Sequence, residues 1–347
     1  MNYYEIEPVD NLFFRDGRPY NMGETQNDVK SMFPPTPYTM VGALRAAMAR
    51  KMHWTEGPWD QAIISKLGNG EDLGPLCFSG PFVQANGKLV FPVPRNVLAQ
   101  KDGKDSWKTF RKLRPGTEIQ SDIGTIEFPA LEEDLDKMRN IPGFISSSDL
   151  EKVLWGGISD IKPIPAENVW KHEFNVGIQR DEDTLTVPEG GLFSRSMVRL
   201  GKDVKLVSGI DGIDEDLDGP LMLGGESKAA FIQKINSLEL PKPPADVGEL
   251  RKFLAVLITP AYLDGLKPGG WIKGLDGAKL VSVCADRPQM IGGWDFQKGP
   301  LPLRPHLRAG SVLFCRSDEG IDPCKLNGSK IGENTKFGFG QVLIGEW

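Results

Sequence analysis

Glycine and proline break this chain at short intervals. Paired steps stand at Gly57-Pro58, Gly74-Pro75, Gly80-Pro81 and Pro115-Gly116, among 40 glycines and 27 prolines in 347 residues. Such steps end helices and turn strands. That content is high for a helical protein, and many turns with irregular insertions are expected. At 39% hydrophobic and 25% charged residues the composition is that of a globular protein in water. The length allows one large domain or two to three ordinary ones. No stretch approaches the roughly 20 apolar residues that span a bilayer. The first residues, Met1 to Glu7, lack the basic start and apolar run of a secretory signal. The expected location is the cytoplasm, with no membrane partner.

Cys77, Cys284, Cys315 and Cys324 form no CxxC pair, and His53, His172 and His306 are scattered. Zinc sites need closely paired ligands, so the cysteines read as reduced thiols in or near the core and no metal is expected. Net charge is −6, from 41 basic and 47 acidic residues. That argues against coating nucleic acid by charge alone but leaves room for a local basic groove. Arg95, Lys101, Lys104, Lys108, Arg111, Lys112 and Arg114 outnumber Asp102 and Asp105. Acidic runs follow at Glu132-Glu133-Asp134 with Asp136, and from Asp211 to Asp218. Such runs are most often solvated faces; their polarity is also compatible with one face on RNA and another on a basic partner.

Tyr3 to Pro8 alternates as a strand. Thr36 suits an N-cap and Pro37 the first helical position, and Met40, Val41, Leu44, Ala47 and Met48 carry the helical period to about Met52. Residues 51–165 read as a large insertion with short strands such as Leu89 to Val93. Strands are expected at Glu173 to Arg180 and Lys252 to Pro260, with a hairpin formed by Ser196 to Leu200 and Val204 to Val207. The proline-rich stretch Leu240 to Gly248 is a semi-rigid linker by composition. It separates domains 1–240 and 249–347. Each half starts with a strand and finishes near a glycine-rich loop carrying a lysine, a hint of duplication.

Those two loops are the main candidate sites. Lys336-Phe337-Gly338-Phe339-Gly340 alternates glycines with aromatics ahead of an apolar strand, and Gly224-Gly225-Glu226-Ser227-Lys228 repeats the glycine-plus-lysine theme. Glycine amides can face a phosphate, and Phe337 and Phe339 offer faces for base stacking. The plain alternatives are a tight bend at a sheet edge and a β-turn. Arg15 and Arg18 lie in a loop after the first strand and Arg45 in the first helix, where a guanidinium suits phosphate or a surface ion pair. Trp294, flanked by Gly292 and Gly293, reads as an exposed platform or a core plug. No Walker A, HExxH or GxSxG motif is present, and no cofactor is implied. His53 is the one histidine placed to serve a metal-independent nuclease; a helix-end histidine favoured by the dipole is the commoner explanation.

Together these segments resemble the RAMP-superfamily subunit three of the type III-B CRISPR (Cmr) effector complex. The resemblance rests on Phe14-Arg15-Asp16-Gly17-Arg18-Pro19, Phe33-Pro34-Pro35-Thr36-Pro37 with Gly42-Ala43-Leu44-Arg45, and Val176-Gly177-Ile178 with Glu189-Gly190. It continues through Gly224-Gly225-Glu226, Gly292-Gly293-Trp294-Asp295, Ala309 to Val312, and Gly338-Phe339-Gly340. It implies an α+β fold of two ferredoxin-like (RRM-like βαββαβ) modules with glycine-rich loops, the insertion lying in the first. It also implies a non-catalytic subunit that binds the 5′ handle of the guide (CRISPR) RNA. The partners implied are the large polymerase-like subunit and the backbone RAMP subunits. The RNA-binding set is then Arg15, Arg18, Arg45, Gly224, Gly225, Lys228, Trp294, Lys336, Phe337, Gly338, Phe339 and Gly340. With an acidic chain, affinity must come from a narrow groove. A guide-processing endoribonuclease and a pure protein adaptor within the complex remain the alternatives.

Overall fold

The computed structural model describes residues 1–15, 29–103, 106–122, 124–133, 135–181, 183–187, 191–213, 216–295 and 299–347. Arg18 and the motif residues 16–20, 189 and 190 lie outside them.

Two antiparallel sheets carry an α+β fold. The first half supplies β1 (Asn2–Pro8), α1 (Pro37–Lys51), β2 (Cys77–Ala85), β3 (Lys88–Pro92), β4 (Phe144–Ser146) and α2 (Ser147–Trp155). It continues with β5 (Trp170–Ile178), β6 (Leu192–Leu200), β7 (Val204–Asp211), β8 (Gly219–Met222) and β9 (Ala229–Ile235). Its seven-stranded sheet runs β4-β3-β2-β7-β1-β9-β8. The second half supplies β10 (Leu250–Leu257), β11 (Leu275–Cys284), β12 (Val312–Ile321), α3 (Pro323–Leu326) and β13 (Val342–Glu346). Its sheet runs β11-β12-β10-β13, with Trp271–Ile272 added beside β11. The same order recurs in both: β1 lies between β7 and β9, as β10 lies between β12 and β13.

Sequence explains the elements that build the core. Thr36 Oγ1 accepts a hydrogen bond from Thr39 N at 3.3 Å, capping α1 one residue before Pro37. Met40, Val41, Leu44 and Met48 then pack on Tyr4, Ile6, Leu206, Ile210 and Ile232 of the first sheet. The other face of that sheet, through Phe82, Leu89, Phe91 and Val207, meets Leu150, Val153 and Leu154 of α2 and Leu254, Val256, Phe314 and Leu343 of the second sheet. The two halves therefore share one core. Phe253, Ala255 and Leu257 point the opposite way, under Ala261 and Ile331. A strand buried on both faces reads as an unbroken apolar run, as Phe253 to Ile258 does.

The structure departs from the sequence reading in several places. Helices are fewer than a full βαββαβ repeat requires. Described residues between β7 and β9 hold only β8 and turns, and the helix between β12 and β13 spans four residues. Pro260, Pro268, Gly265, Gly269 and Gly270 rule out a helix after β10. Ser196–Leu200 and Val204–Val207 are not a hairpin: β6 pairs with β5 and with Val29–Lys30, whereas β7 joins β1 and β2. β2 and β3, inside the expected insertion, belong to the main sheet. The excursion proper is the strands Val97–Asp102, Ser106–Lys112 and Met138–Asn140 with the ribbon Arg114–Ser121 and Gly124–Ala130. The linker is pinned, since Lys242 N donates to Glu151 Oε1 and Asn327 Nδ2 to Pro241 O.

Four residues of the basic run pair with carboxylates, two of them from the acidic run that follows. Arg95 binds Asp286 at 2.6 Å, Lys108 binds Asp102 at 3.1 Å, Arg111 binds Glu133 at 3.6 Å and Arg114 binds Glu132 at 2.7 Å. Cys284 and Cys315 are buried thiols and Cys77 is half-buried, but Cys324 is exposed at the start of α3. No helix among the described residues is long and apolar enough to cross a membrane.

Candidate nucleic-acid interface

The two glycine loops occupy equivalent positions, each just before the last strand of its set, β9 or β13. Both hydrogen-bond to the segment that follows the first strand of the same set: Gly225 N donates to Phe13 O and Gly340 N to Pro260 O, each at 2.8 Å. Their surroundings differ.

The second loop is interior. Gly338, at φ 103°, leaves room for Gly80 O, which a Cβ would meet at 2.4 Å. Gly338 N donates to Thr335 O, and Gly338 O accepts from Thr259 Oγ1 at 2.8 Å. Phe339 is fully buried and Phe337 is 8% exposed. Tyr38 meets both rings edge-on, and His306 lies 5.0 Å from the Phe339 centroid. Phe337 and Phe339 have no free face for a base, and the Gly338 and Gly340 amides are spent on backbone carbonyls. Lys336 stays exposed with its Nζ toward Gly74 O at 3.3 Å. The loop is a clasp between the halves, and the stacking expected of its aromatics is corrected accordingly. An apolar side chain between glycines serves a buried bend as well as a binding loop.

Arg45 is also interior, 8% exposed. Its Nη1 donates to Gly70 O at 3.0 Å and its guanidinium lies 4.9 Å from the Trp59 ring centroid. Burial lowers its pKa, partly offset by Asp72 and Asp295. It faces the protein rather than solvent.

The first loop is on the surface. Gly224, at φ 80°, and Gly225 leave no room for a Cβ against Phe13, and Leu223 N closes the turn on Lys228 O at 2.8 Å. The segment after β1 threads the seam between this loop and the β5–β6 hairpin. Phe13 bridges Gly224, Leu12 bridges Val198, and Arg15 bridges Ser31. Ser31 N donates in turn to Ser196 O. Arg15, half-buried Lys228 and, from β6, Arg195 border this seam. Arg195 Nη1 meets Glu226 Oε1 at 2.5 Å. Arg199 is claimed by two acids: its Nη2 lies 3.0 Å from both Glu173 Oε1 and Asp10 Oδ1. The Glu173 hydrogen bond raises the Arg199 pKa, and Arg199 lowers that of Glu173.

Beyond the seam the β5–β6 hairpin carries an apolar face. Phe174 and Val176 are each 68% exposed, and Ile178 and Leu192 are exposed beside them. Alternation at 174, 176 and 178 is legible as a strand; that no described residue covers its apolar face is not, because a period of two does not say which face has a partner. Arg195 and the Asp10–Arg199–Glu173 group come together only through pairing distant in sequence. Trp294 is 67% exposed on a two-stranded ribbon with Gly299–Pro300 and is not a core plug. His53 sits exposed in the turn after α1, at φ 65°. Among the described residues no group of three or more His, Cys, Asp or Glu is placed to hold a metal.

A chain of the Type III-B Cmr-beta bound to cognate target RNA and AMPPnP is 15% identical over 90% of this chain and 86% of that one, at a TM-score of 0.51. A chain of Cmr-beta bound to cognate target RNA is 17% identical over the same shares, also at 0.51. At such identities the likeness is one of fold. No curated protein matches. Residues 4–347 match the family described as CRISPR-associated protein (Cas_Cmr3), so the chain belongs to that family.

Proposed function

We propose that this protein is the non-catalytic subunit three of a type III-B CRISPR effector. In this reading it grips the 5′ handle of the guide RNA and docks on the large polymerase-like subunit and the backbone RAMP subunits. The observation that carries the RNA reading is the seam at Leu12 to Arg15, where the surface glycine loop, Arg15, Arg195 and Lys228 converge. Guanidinium and ammonium groups beside a glycine turn suit the phosphates of a single strand, and exposed Trp294 supplies a base-stacking face. The repeated strand order and matched glycine loops support two ferredoxin-like modules, 1–240 and 249–347, the first without its second helix among the described residues and the second without its first and with its second cut to four residues. The bare apolar face of the β5–β6 hairpin favours a protein adaptor as the second reading, since exposed apolar surface marks interaction sites.

The test is to purify a tagged copy from its own cells after ultraviolet crosslinking and sequence the RNA that comes with it. Small RNAs sharing one 5′ handle, crosslinked at that handle to the seam, are expected. Random RNA or none would overturn handle binding and leave the adaptor reading.

A further inference from the structure

The turn that carries the surface glycine loop is built against local preference. Glu226 and Ser227 both have left-handed backbone, at φ 60° and 50°. In two-residue hairpin turns, two successive residues of that kind are normally Asn-Gly or Asp-Gly, because a Cβ makes the left-handed conformation unfavourable. Here the first of them is a glutamate whose carboxylate lies 2.5 Å from Arg195. The loop is fixed beneath by Gly225 N on Phe13 O and Leu223 N on Lys228 O, so the strained pair presents the Glu226 side chain to that arginine.

A carboxylate and a phosphate offer a guanidinium the same paired oxygen acceptors. Arg195 and Glu226 are part-exposed, their side chains 25% and 43% accessible, and an ion pair at such a site is weak enough to exchange. We infer that Glu226 is an internal competitor for RNA phosphate at Arg195: it occupies the guanidinium in the free protein and is displaced when a strand enters the seam. The inference rests on the RNA reading above and adds its regulation. Binding exchanges one ion pair for another, so the affinity of the free subunit is held down until neighbouring contacts place the phosphate.

The test measures anisotropy of a labelled short single-stranded RNA with the full chain, over a range of salt. The proteins compared are the wild type, Glu226→Gln, Glu226→Gly, Arg195→Ala and the double variant Arg195→Ala with Glu226→Gln. Glu226→Gly also suits the left-handed backbone, so the carboxylate is removed without adding strain. Both single Glu226 variants are expected to bind about twofold to fivefold more tightly, the factor corresponding to one partly exposed ion pair. On the Arg195→Ala background the gain is expected to vanish. If the wild type binds RNA and neither Glu226 variant binds more tightly, the competitor role is overturned while the RNA reading stands. A gain that survives Arg195→Ala would reduce it to a general charge effect and overturn it as well. If none of the proteins binds RNA, the RNA reading fails and the inference with it.

Discussion

Ser79 Oγ donates to Gln341 Oε1 at 2.7 Å, joining two buried side chains 262 residues apart in sequence. Ser79 lies in β2 of the first sheet and Gln341 next to the glycine loop of the second. Gly338 seats on Gly80 O in the same joint, and Lys330 Nζ reaches Phe78 O. The loop thus acts as a fitted contact between halves. Gly338→Ala places a Cβ 2.4 Å from that carbonyl at a φ of 103°, and is expected to destabilise the protein by about 2 kcal/mol or more. Ser79→Ala leaves Gln341 unsatisfied, at about 1–3 kcal/mol. Urea unfolding checks both; unchanged midpoints would show that the joint is not holding the halves.

How much of this was legible follows from range. The N-cap at Thr36, the alternating strand at Tyr3 to Pro8 and the doubly buried strand at Phe253 to Ile258 are set by residues within one element, and each was readable. The burial of Phe339, the placing of Arg45 under Trp59, and the pairing of Arg111 and Arg114 with Glu133 and Glu132 are set by residues far along the chain. Local pattern carries no record of them. At the candidate site the glycines and Arg15 stood out by type. Arg195 and Glu226 did not, since their contact exists only once β6 lies beside the β8–β9 turn.

Phe339 and Trp294 separate a structural aromatic from a surface one. Phe339→Ala empties a site bounded by Tyr38 and His306 and is expected to cost about 3–5 kcal/mol. Trp294→Ala removes a largely exposed ring and is expected to leave stability within about 0.5 kcal/mol. In the RNA reading it weakens binding by about 1–3 kcal/mol if a base stacks there. Thermal unfolding and anisotropy of the two variants give both numbers. A soluble, fully stable Phe339→Ala would contradict the clasp.

Among the described residues, Arg45 has one hydrogen bond, to Gly70 O, and its Nε and Nη2 are buried without hydrogen-bond partners. Asp72 and Asp295 offset the burial of its charge and the Trp59 ring lies 4.9 Å from its guanidinium, and removing one partner from a buried charged group destabilises. Arg45→Met is therefore expected to destabilise the protein by about 1 kcal/mol or more and to leave RNA binding unaltered. A marked loss of RNA with intact folding would restore Arg45 to the interface.

His306 ties stability to pH. It is buried, its Nδ1 lies 2.9 Å from Arg304 O, and its Nε2 has no hydrogen-bond partner among the described residues. Burial lowers its pKa from the ordinary 6.5, against the opposing effect of its backbone hydrogen bond. The unfolded chain therefore takes up the proton first as pH falls. The contribution is fully present above about 6.5 and is lost as pH drops through that value toward the folded pKa. Stability measured by denaturant from pH 8 downward should fall below pH 6.5, and the fall should flatten in His306→Gln. An unchanged slope in that variant would assign the acid sensitivity elsewhere.

Phe174 and Val176 test the projecting hairpin apart from the fold. Both are 68% exposed, on strand positions paired with Ser196 and Ser194. An aspartate at either place meets water in the free subunit, so Phe174→Asp and Val176→Asp are expected to shift unfolding midpoints little. In an assembled complex the same carboxylate would be driven into an apolar contact and left unpaired, a cost of several kcal/mol. Both variants should then fold normally but fail to co-purify with partner subunits in a tagged pull-down. Normal recovery of partners with Phe174→Asp and Val176→Asp combined would remove the hairpin from the docking surface and leave the adaptor reading without its main support.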